Sequence, residues 1–419
     1  MPPKASLETR KKIYQSLCYV LSDRASRVAW DEYTPADWEL FSQMADREGV
    51  APLMYWKLKE SPVKIPPSTF NLLRSTYYQT LAQNTLMYQE LERILKALDE
   101  AGIPVIVLKG AALAATVYED IGLRPMGDLD LLVPQELFNL AVKIMYKIGY
   151  YKKDSPELAP WLARVTRHEV ALQGGPKKNI VVEIHWNLVA GNYDWRSPPL
   201  DWFWEQTKPF EFLFTKPFRD GSSPHKGVYC NSDNNNFNGF GLTLTATLLF
   251  LTAHLILQHG QREDRVLWFY DLYILIRKAD KSMDWGLLIS QAEEYEWTLS
   301  LQTALIRLCQ MFNVSKEDNL PPSLWHMEVD TSKANRLVQM KSSQIRSSAM
   351  YDWEQLTTLN SLGRLGYTIA IVLPSPSYIY WRYKPRPGWL WPLYYPYRWL
   401  RMLREVLSTI SSLIFAIRD

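Results

Sequence analysis

Gly127-Asp128-Leu129-Asp130-Leu131-Leu132-Val133 is the stretch from which the fold of this chain can be read. A strand repeats every two residues, so Asp128 and Asp130 project from one face and Leu129 and Leu131 from the other. One face is apolar; the other carries two carboxylates. Like charges so placed repel unless a cation lies between them, and magnesium is the hard, oxygen-preferring ion that suits such a pair. Taken alone, an Asp-x-Asp pair reads equally well as an exposed strand face, so its surroundings decide.

Upstream, Gly102 and Pro104 stop a helical run, and Val105-Ile106-Val107-Leu108 forms the continuous apolar stretch of a buried strand. Lys109-Gly110 follows, with a helix predicted over Ala111 to Tyr118. A helix start offers unpaired N–H groups to an anion, so Gly110 and Ala111 are candidate phosphate contacts, with Lys109 as a nearby cation. Arg124, four residues before Asp128, is a candidate bidentate phosphate ligand. Lys109 and Arg124 each also read as solvated charges.

Downstream, Pro134 ends the strand and a helix is predicted from Gln135 to Ile148. Two strands, His168 to Gln173 and Ile180 to Trp186, flank a Gly-Gly-Pro-Lys-Lys-Asn spacer that suits an antiparallel hairpin. In the second of them Glu183 and His185 share a face opposite Val182 and Ile184. Glu183 thereby becomes a third candidate metal carboxylate and general base. His185 is a candidate nucleotide contact, or a hydrogen-bonded core histidine beside Trp186.

These elements predict an α+β protein: a small mixed sheet forming a nucleotide-handling core over 102–230, flanked by an N-terminal helical region (1–101) and C-terminal helices (242–345). Asn231 to Gly241, rich in Asn, Asp, Ser and Gly, is expected to be an exposed loop and a domain boundary. The tail, 346–419, carries Arg382, Lys384, Arg386, Arg398, Arg401 and Arg404 with no acid between Tyr378 and Arg404. These are interleaved with tryptophan and tyrosine. From Trp399 the apolar positions follow helical spacing, which predicts an amphipathic helix that docks on the protein's own body, on a partner or on an anionic membrane.

With 47% hydrophobic residues, the chain can bury a substantial core, and its net charge of +3 does not demand a nucleic-acid partner. Three cysteines without a Cys-x-x-Cys pair argue against a zinc cluster or disulfide framework. The charged N-terminus does not resemble an export signal, and Leu242 to Leu257 falls short of the ~20 residues needed to span a bilayer. The expected location is the cytoplasm, with the tail as a route to peripheral membrane contact. His254 and His259 lie five residues apart; on an α-helix they would face different directions, which argues against one metal on both. No P-loop, GxSxG or HExxH motif occurs.

Leu108-Lys109-Gly110-Ala111-Ala112-Leu113, Arg124-Pro125 and the Gly127 to Val133 stretch together resemble the uncharacterised nucleotidyltransferase family of bacteria, within the DNA polymerase beta superfamily. Gly102 to Val105, Glu183-Ile184-His185-Trp186, His254, His259 and Asp271 extend the resemblance, from roughly residue 40 to residue 280. Two departures stand out. Lys109-Gly110 replaces the usual Gly-Ser of the phosphate loop, and the third acid is Glu rather than Asp. The resemblance implies two magnesium (or manganese) ions on Asp128, Asp130 and Glu183. The implied reaction moves a nucleoside monophosphate from an NTP, expected to be ATP, to a hydroxyl-type acceptor: a small molecule, a protein side chain or an RNA end. The rival expectation is a non-catalytic nucleotide-binding or scaffold protein that recruits a partner or membrane through its tail. Because a metal-free acid pair repels itself, Asp130→Asn is expected to leave the melting temperature unchanged or raised.

Overall fold

The apolar periodicity before Gly102 becomes four helices: α1 (Leu7–Leu21), α2 (Pro35–Arg47), α3 (Ala51–Leu58) and the long α4 (Pro67–Asp99). Thr34 starts α2 with a reciprocal capping box to Asp37, which satisfies two otherwise orphaned backbone donors. The computed structural model describes residues 6–152, 167–175, 179–189, 198–210, 214–215, 226–227, 239–259, 265–279, 282–314, 320–327, 356 and 361–418. Most of the Asn231 to Gly241 stretch, Cys230, Arg262 and the side chains of the last turns of the tail helix lie outside the described residues.

The core alternates strands and helices: β1 (Val105–Val107), α5 (Lys109–Thr116), β2 (Asp128–Leu132), α6 (Phe138–Lys147), β3 (Tyr151–Lys152), β4 (Glu169–Gly174), β5 (Ile180–His185), α7 (Asp201–Glu205) and β6 (Thr207–Pro209). A separate ladder pairs β7 (Phe214–Thr215) with β8 (Lys226–Gly227), and β9 is Gly239–Leu242. Seven strands form one mixed sheet in the order β3-β4-β5-β2-β1-β9-β6. The hairpin predicted around residues 174–179 is present as antiparallel β4 and β5, while β5 runs parallel to β2 with Asp130 opposite Glu183. Pro209 sits on the edge strand β6, where a missing N–H is tolerated.

One expectation is corrected here. The end of the presumed exposed loop is β9, inserted parallel to β1, with Gly239 and Gly241 buried. Its Gly-Phe-Gly-Leu sequence has no β-branched residue to signal a strand. Gly239 owes its place to close approach, since a Cβ there would lie 3.3 Å from Leu95 of α4.

The two faces of the sheet have different fates. Leu129, Leu131, Val182, Ile184, Val105 and Val107 pack against Leu91, Ile94 and Leu98 of α4 and Ala141 and Met145 of α6. On the opposite face Ile106 and Leu132 join a larger core. That core contains residues of α1 to α3 together with α8 (Leu244–Ala253), α9 (Val266–Ala279), α10 (Trp285–Glu294) and α11 (Thr298–Phe312). Helices from both ends of the chain therefore share one apolar interior.

The tail folds into α12 (Ser361–Val372), α13 (Pro376–Tyr383) and α14 (Tyr394–Arg418). Tyr395 Oη donates to Pro374 O at 2.6 Å and Trp399 Nε1 to Val372 O at 2.7 Å, so α14 is held on its own tail helices. Among the described residues no helix is long and apolar enough to cross a membrane.

Candidate functional site

Strand alternation and register assemble the site on one sheet face. Asp128 and Asp130 come from β2, and Glu183 and His185 from β5, with Asp130 opposite Glu183 and Glu169 of β4 opposite His185. His168 sits at the bend before β4, which frees it from the alternation and lets it reach the same side. A cavity of about 600 Å³ opens over this face, bordered by Asp128, Asp130, Glu169, Glu183, Lys109 and Gly110. Its far wall includes His254, Gln258, Arg265, Trp268 and Asp271. The volume lies within the range of small-molecule sites.

Asp130 is the anchor of the cluster and is almost fully buried. Lys109 Nζ donates to its Oδ1 at 2.7 Å, and His185 Nε2 lies 3.0 Å from the same oxygen. Burial alone would raise the Asp130 carboxyl, but the Lys109 ammonium and the His185 imidazole outweigh it and hold it far below the ordinary carboxylate range. Burial likewise opposes charge on His185, yet its hydrogen bonds to Asp130 and Glu183 carry it up to about 9. Asp128 behaves oppositely: burial, then Asp130 and Glu183, push it up to about 6, and Lys109 and Arg124 only partly offset them. The two acids of one Asp-x-Asp pair thus differ sharply. This reverses the expectation for Asp130→Asn, because the strain of the pair resides on Asp128 while Asp130 is paired.

Lys109 stands at the turn into α5 with φ of 45°, in the left-handed region that disfavours a side chain. A glycine would adopt that backbone without penalty. The lysine there reaches into the acids, lying 3.8 Å from Glu183 as well as against Asp130. Gly110 is fixed by close approach, since a Cβ would lie 2.6 Å from Arg124 Nη1. Ala111 packs its side chain into the apolar core and its carbonyl accepts from Tyr88 Oη at 2.6 Å, while its backbone N–H, the group expected at the phosphate, lies in the first turn of α5.

Arg124 borders the cavity but is already engaged within the protein. Its Nε and Nη2 are engaged by Asp271 at 2.9 and 2.8 Å, and Tyr118 Oη donates to the same carboxylate at 2.6 Å. The bidentate fork expected on phosphate is engaged in a buried ion pair that ties the segment before β2 to α9. Asn84 of α4 steadies that segment from below, donating to the Ile121 and Arg124 carbonyls at 2.6 and 2.8 Å. Glu48 O and its carboxylate accept from Leu267 N and Val266 N, capping α9 from the N-terminal helices.

His254 to His259 is wound as a π-helix, so the α-helical angle assumed between the two histidines does not hold. His254 and Gln258 line the cavity; the side chain of His259 lies outside the described residues.

Sequence reasoning missed His168 and Glu169. The signal was present in the hairpin, because pairing the two strands antiparallel puts an acid near the start of the first beside His185 near the end of the second. Without the register, that acid had no face assigned.

No curated protein matches the chain. A family model described as an uncharacterised nucleotidyltransferase matches residues 34–313, from the cap of α2 to the end of α11. The match takes in the sheet, the acid cluster and the helices that brace it, and the chain belongs to this uncharacterised nucleotidyltransferase family.

Proposed function

We propose that the cavity transfers a nucleoside monophosphate from an NTP, expected to be ATP, to a hydroxyl-type acceptor. The observation that carries this reading is the convergence of Asp128, Asp130 and Glu183 on one cavity bordered by the start of α5. Asp128, held against its own ionisation by burial and two neighbouring acids, marks a place that lacks positive charge and fits a divalent cation. Magnesium or manganese held by Asp128, Asp130 and Glu183 would neutralise phosphate oxygens and act as Lewis acid. Glu183, more exposed than Asp130, accepts the proton of the acceptor hydroxyl as that oxygen bonds to the α-phosphorus and pyrophosphate leaves. Lys109 keeps Asp130 ionised, and His185 fixes its orientation. The Gly110 N–H and the Arg265 guanidinium offer phosphate contacts, with Trp268 beside Arg265 as an aromatic wall for a base.

The test is incubation of the full chain with each α-labelled NTP, magnesium or manganese, and a cell extract, with an Asp128→Asn/Glu183→Gln variant as control. A metal-dependent labelled product, absent with the variant, supports the reading and identifies base and acceptor together. Folded protein that releases no pyrophosphate from any NTP overturns it. One observation favours a second reading, nucleotide binding without transfer: the Lys109 ammonium rests on Asp130, where the family's usual phosphate loop would place no cation. Saturable NTP binding with no pyrophosphate release would select that reading.

For the tail we propose contact with an anionic membrane surface. Trp389, Leu393, Leu400 and Leu403 are 73%, 64%, 69% and 58% exposed, beside the acid-free basic stretch from Tyr378 to Arg404. An amphipathic face of this composition fits anionic headgroups, at about 1 kcal/mol per basic contact, screened by salt. Full-length protein should co-sediment with phosphatidylserine vesicles at low salt, and an Arg398→Glu/Arg401→Glu/Arg404→Glu variant should not. Equal binding to neutral vesicles, or self-association without vesicle binding, would contradict the proposal.

A further inference from the structure

Three donor atoms converge behind the acid pair, and two of them, on His168 and Glu169, have no role in nucleotidyl transfer as proposed. His168 Nε2 lies 3.3 Å and His185 Nε2 3.2 Å from Glu169 Oε2. The three atoms fall within 4.8 Å of one another. His168 is more than nine-tenths buried, and its Nε2, though near Glu169, is not aligned for a hydrogen bond with any group. A buried, unsatisfied imidazole nitrogen costs free energy unless something else occupies it.

We infer that His168, Glu169 and His185 form a cation site that takes a divalent transition ion of the zinc class in preference to magnesium. Ligands held about 2.0–2.1 Å from one tetrahedral ion lie roughly 3.3–3.4 Å apart, which the two measured nitrogen–oxygen gaps match. Two imidazoles and one carboxylate with a position left open form a donor set that transition ions accept and magnesium, which demands oxygen and octahedral geometry, does not. The site competes with the acid cluster: the His185 Nε2 that would hold the ion also lies 3.0 Å from Asp130 Oδ1, so taking the ion requires that nitrogen to lose its proton and its hydrogen bond to Asp130. The backbone supports it from both sides: Glu169 and His185 are register partners, and the His168 carbonyl accepts from Trp186 N at 2.9 Å, holding the bend against the end of β5.

The experiment uses the full chain, stripped of metal, with excess magnesium and no nucleotide, so its outcome is independent of whether the protein transfers anything. Zinc added to this sample should be retained through gel filtration at one equivalent. His168→Gln and Glu169→Gln should each weaken zinc binding by at least about tenfold, the scale reached even by groups that only support metal ligands. Should His168→Gln fail to fold, Glu169→Gln decides. No retained zinc, or folded His168→Gln and Glu169→Gln variants of unchanged zinc affinity, would each overturn the assignment.

Discussion

Replacing Asp128 by Asn should make the metal-free protein more stable, and the size and pH range of the gain follow from the site. Burial and the neighbouring Asp130 and Glu183 raise the Asp128 carboxyl from 3.8 to about 6. At about 1.4 kcal/mol per pKa unit, the gap between folded and unfolded states corresponds to at most about 3 kcal/mol. Asp128 is only partly buried, so solvent screening reduces this to roughly 1–2 kcal/mol. The sign follows from where the proton sits. Below the unfolded value the acid is protonated in both states and costs nothing; the penalty grows between 3.8 and about 6 and is complete above it. Asn removes that penalty, so thermal unfolding in chelator at about pH 7.5 should shift upward by roughly 1–2 °C, and by much less at about pH 4.5. Magnesium should then stabilise the natural protein more than the variant, because the variant has lost a ligand. A lowered melting temperature in chelator, or an equal gain at both pH values, would refute the electrostatic account of the acid pair.

Asp130→Asn should act in the opposite direction and lose stability by about 1–3 kcal/mol in chemical denaturation, since Lys109 and His185 would lose the partner of their charged hydrogen bonds. An unchanged midpoint would show that the three groups are not coupled in solution. Arg124→Ala leaves Asp271 buried and uncompensated, and should cost about 3–5 kcal/mol. A stable Arg124→Ala protein with only a weakened KM for NTP would instead make Arg124 a phosphate ligand. A fragment of residues 102–230 should show no cooperative unfolding transition, because it exposes Ile106, Leu113 and Leu132 and lacks β9. A cooperative melt would contradict that.

Much of this architecture was legible because period-two alternation survives wherever strands are flanked by strong apolar runs. Asp128, Asp130, Glu183 and His185 were assigned to faces before their neighbours were known, and α4 followed from its periodicity. What could not be read depended on partners far away in the chain. The fork of Arg124 is as compatible with phosphate as with Asp271, and only the folded position of α9, some 147 residues later, decides between them. The strand at Gly239–Leu242 carries almost no side-chain signal because its strand character comes from β1 and β6 on either side. The π-helical winding at His254 similarly removes the premise of an argument drawn from ideal α-helical geometry.

These misses share a cause that bears on how the site works. The sheet has one face that it can bury with its own helices, α4 and α6, but on the other face only the middle is acidic; its Ile106 and Leu132 need the helices that precede and follow the sheet. Those helices also supply Glu48, which caps α9, and α9 supplies Asp271, which holds Arg124 in the segment before β2. The geometry of Asp128 therefore depends on contacts made by both flanking helical regions, through a buried ion pair whose geometry is bidentate and tightly specified. The segment that leads into β2 would otherwise yield to the repulsion between the two acids on one face of that strand. Fixing it from α4 through Asn84 and from α9 through Asp271 keeps the carboxylates converged before any cation arrives, which is the preorganisation that electrostatic catalysis requires.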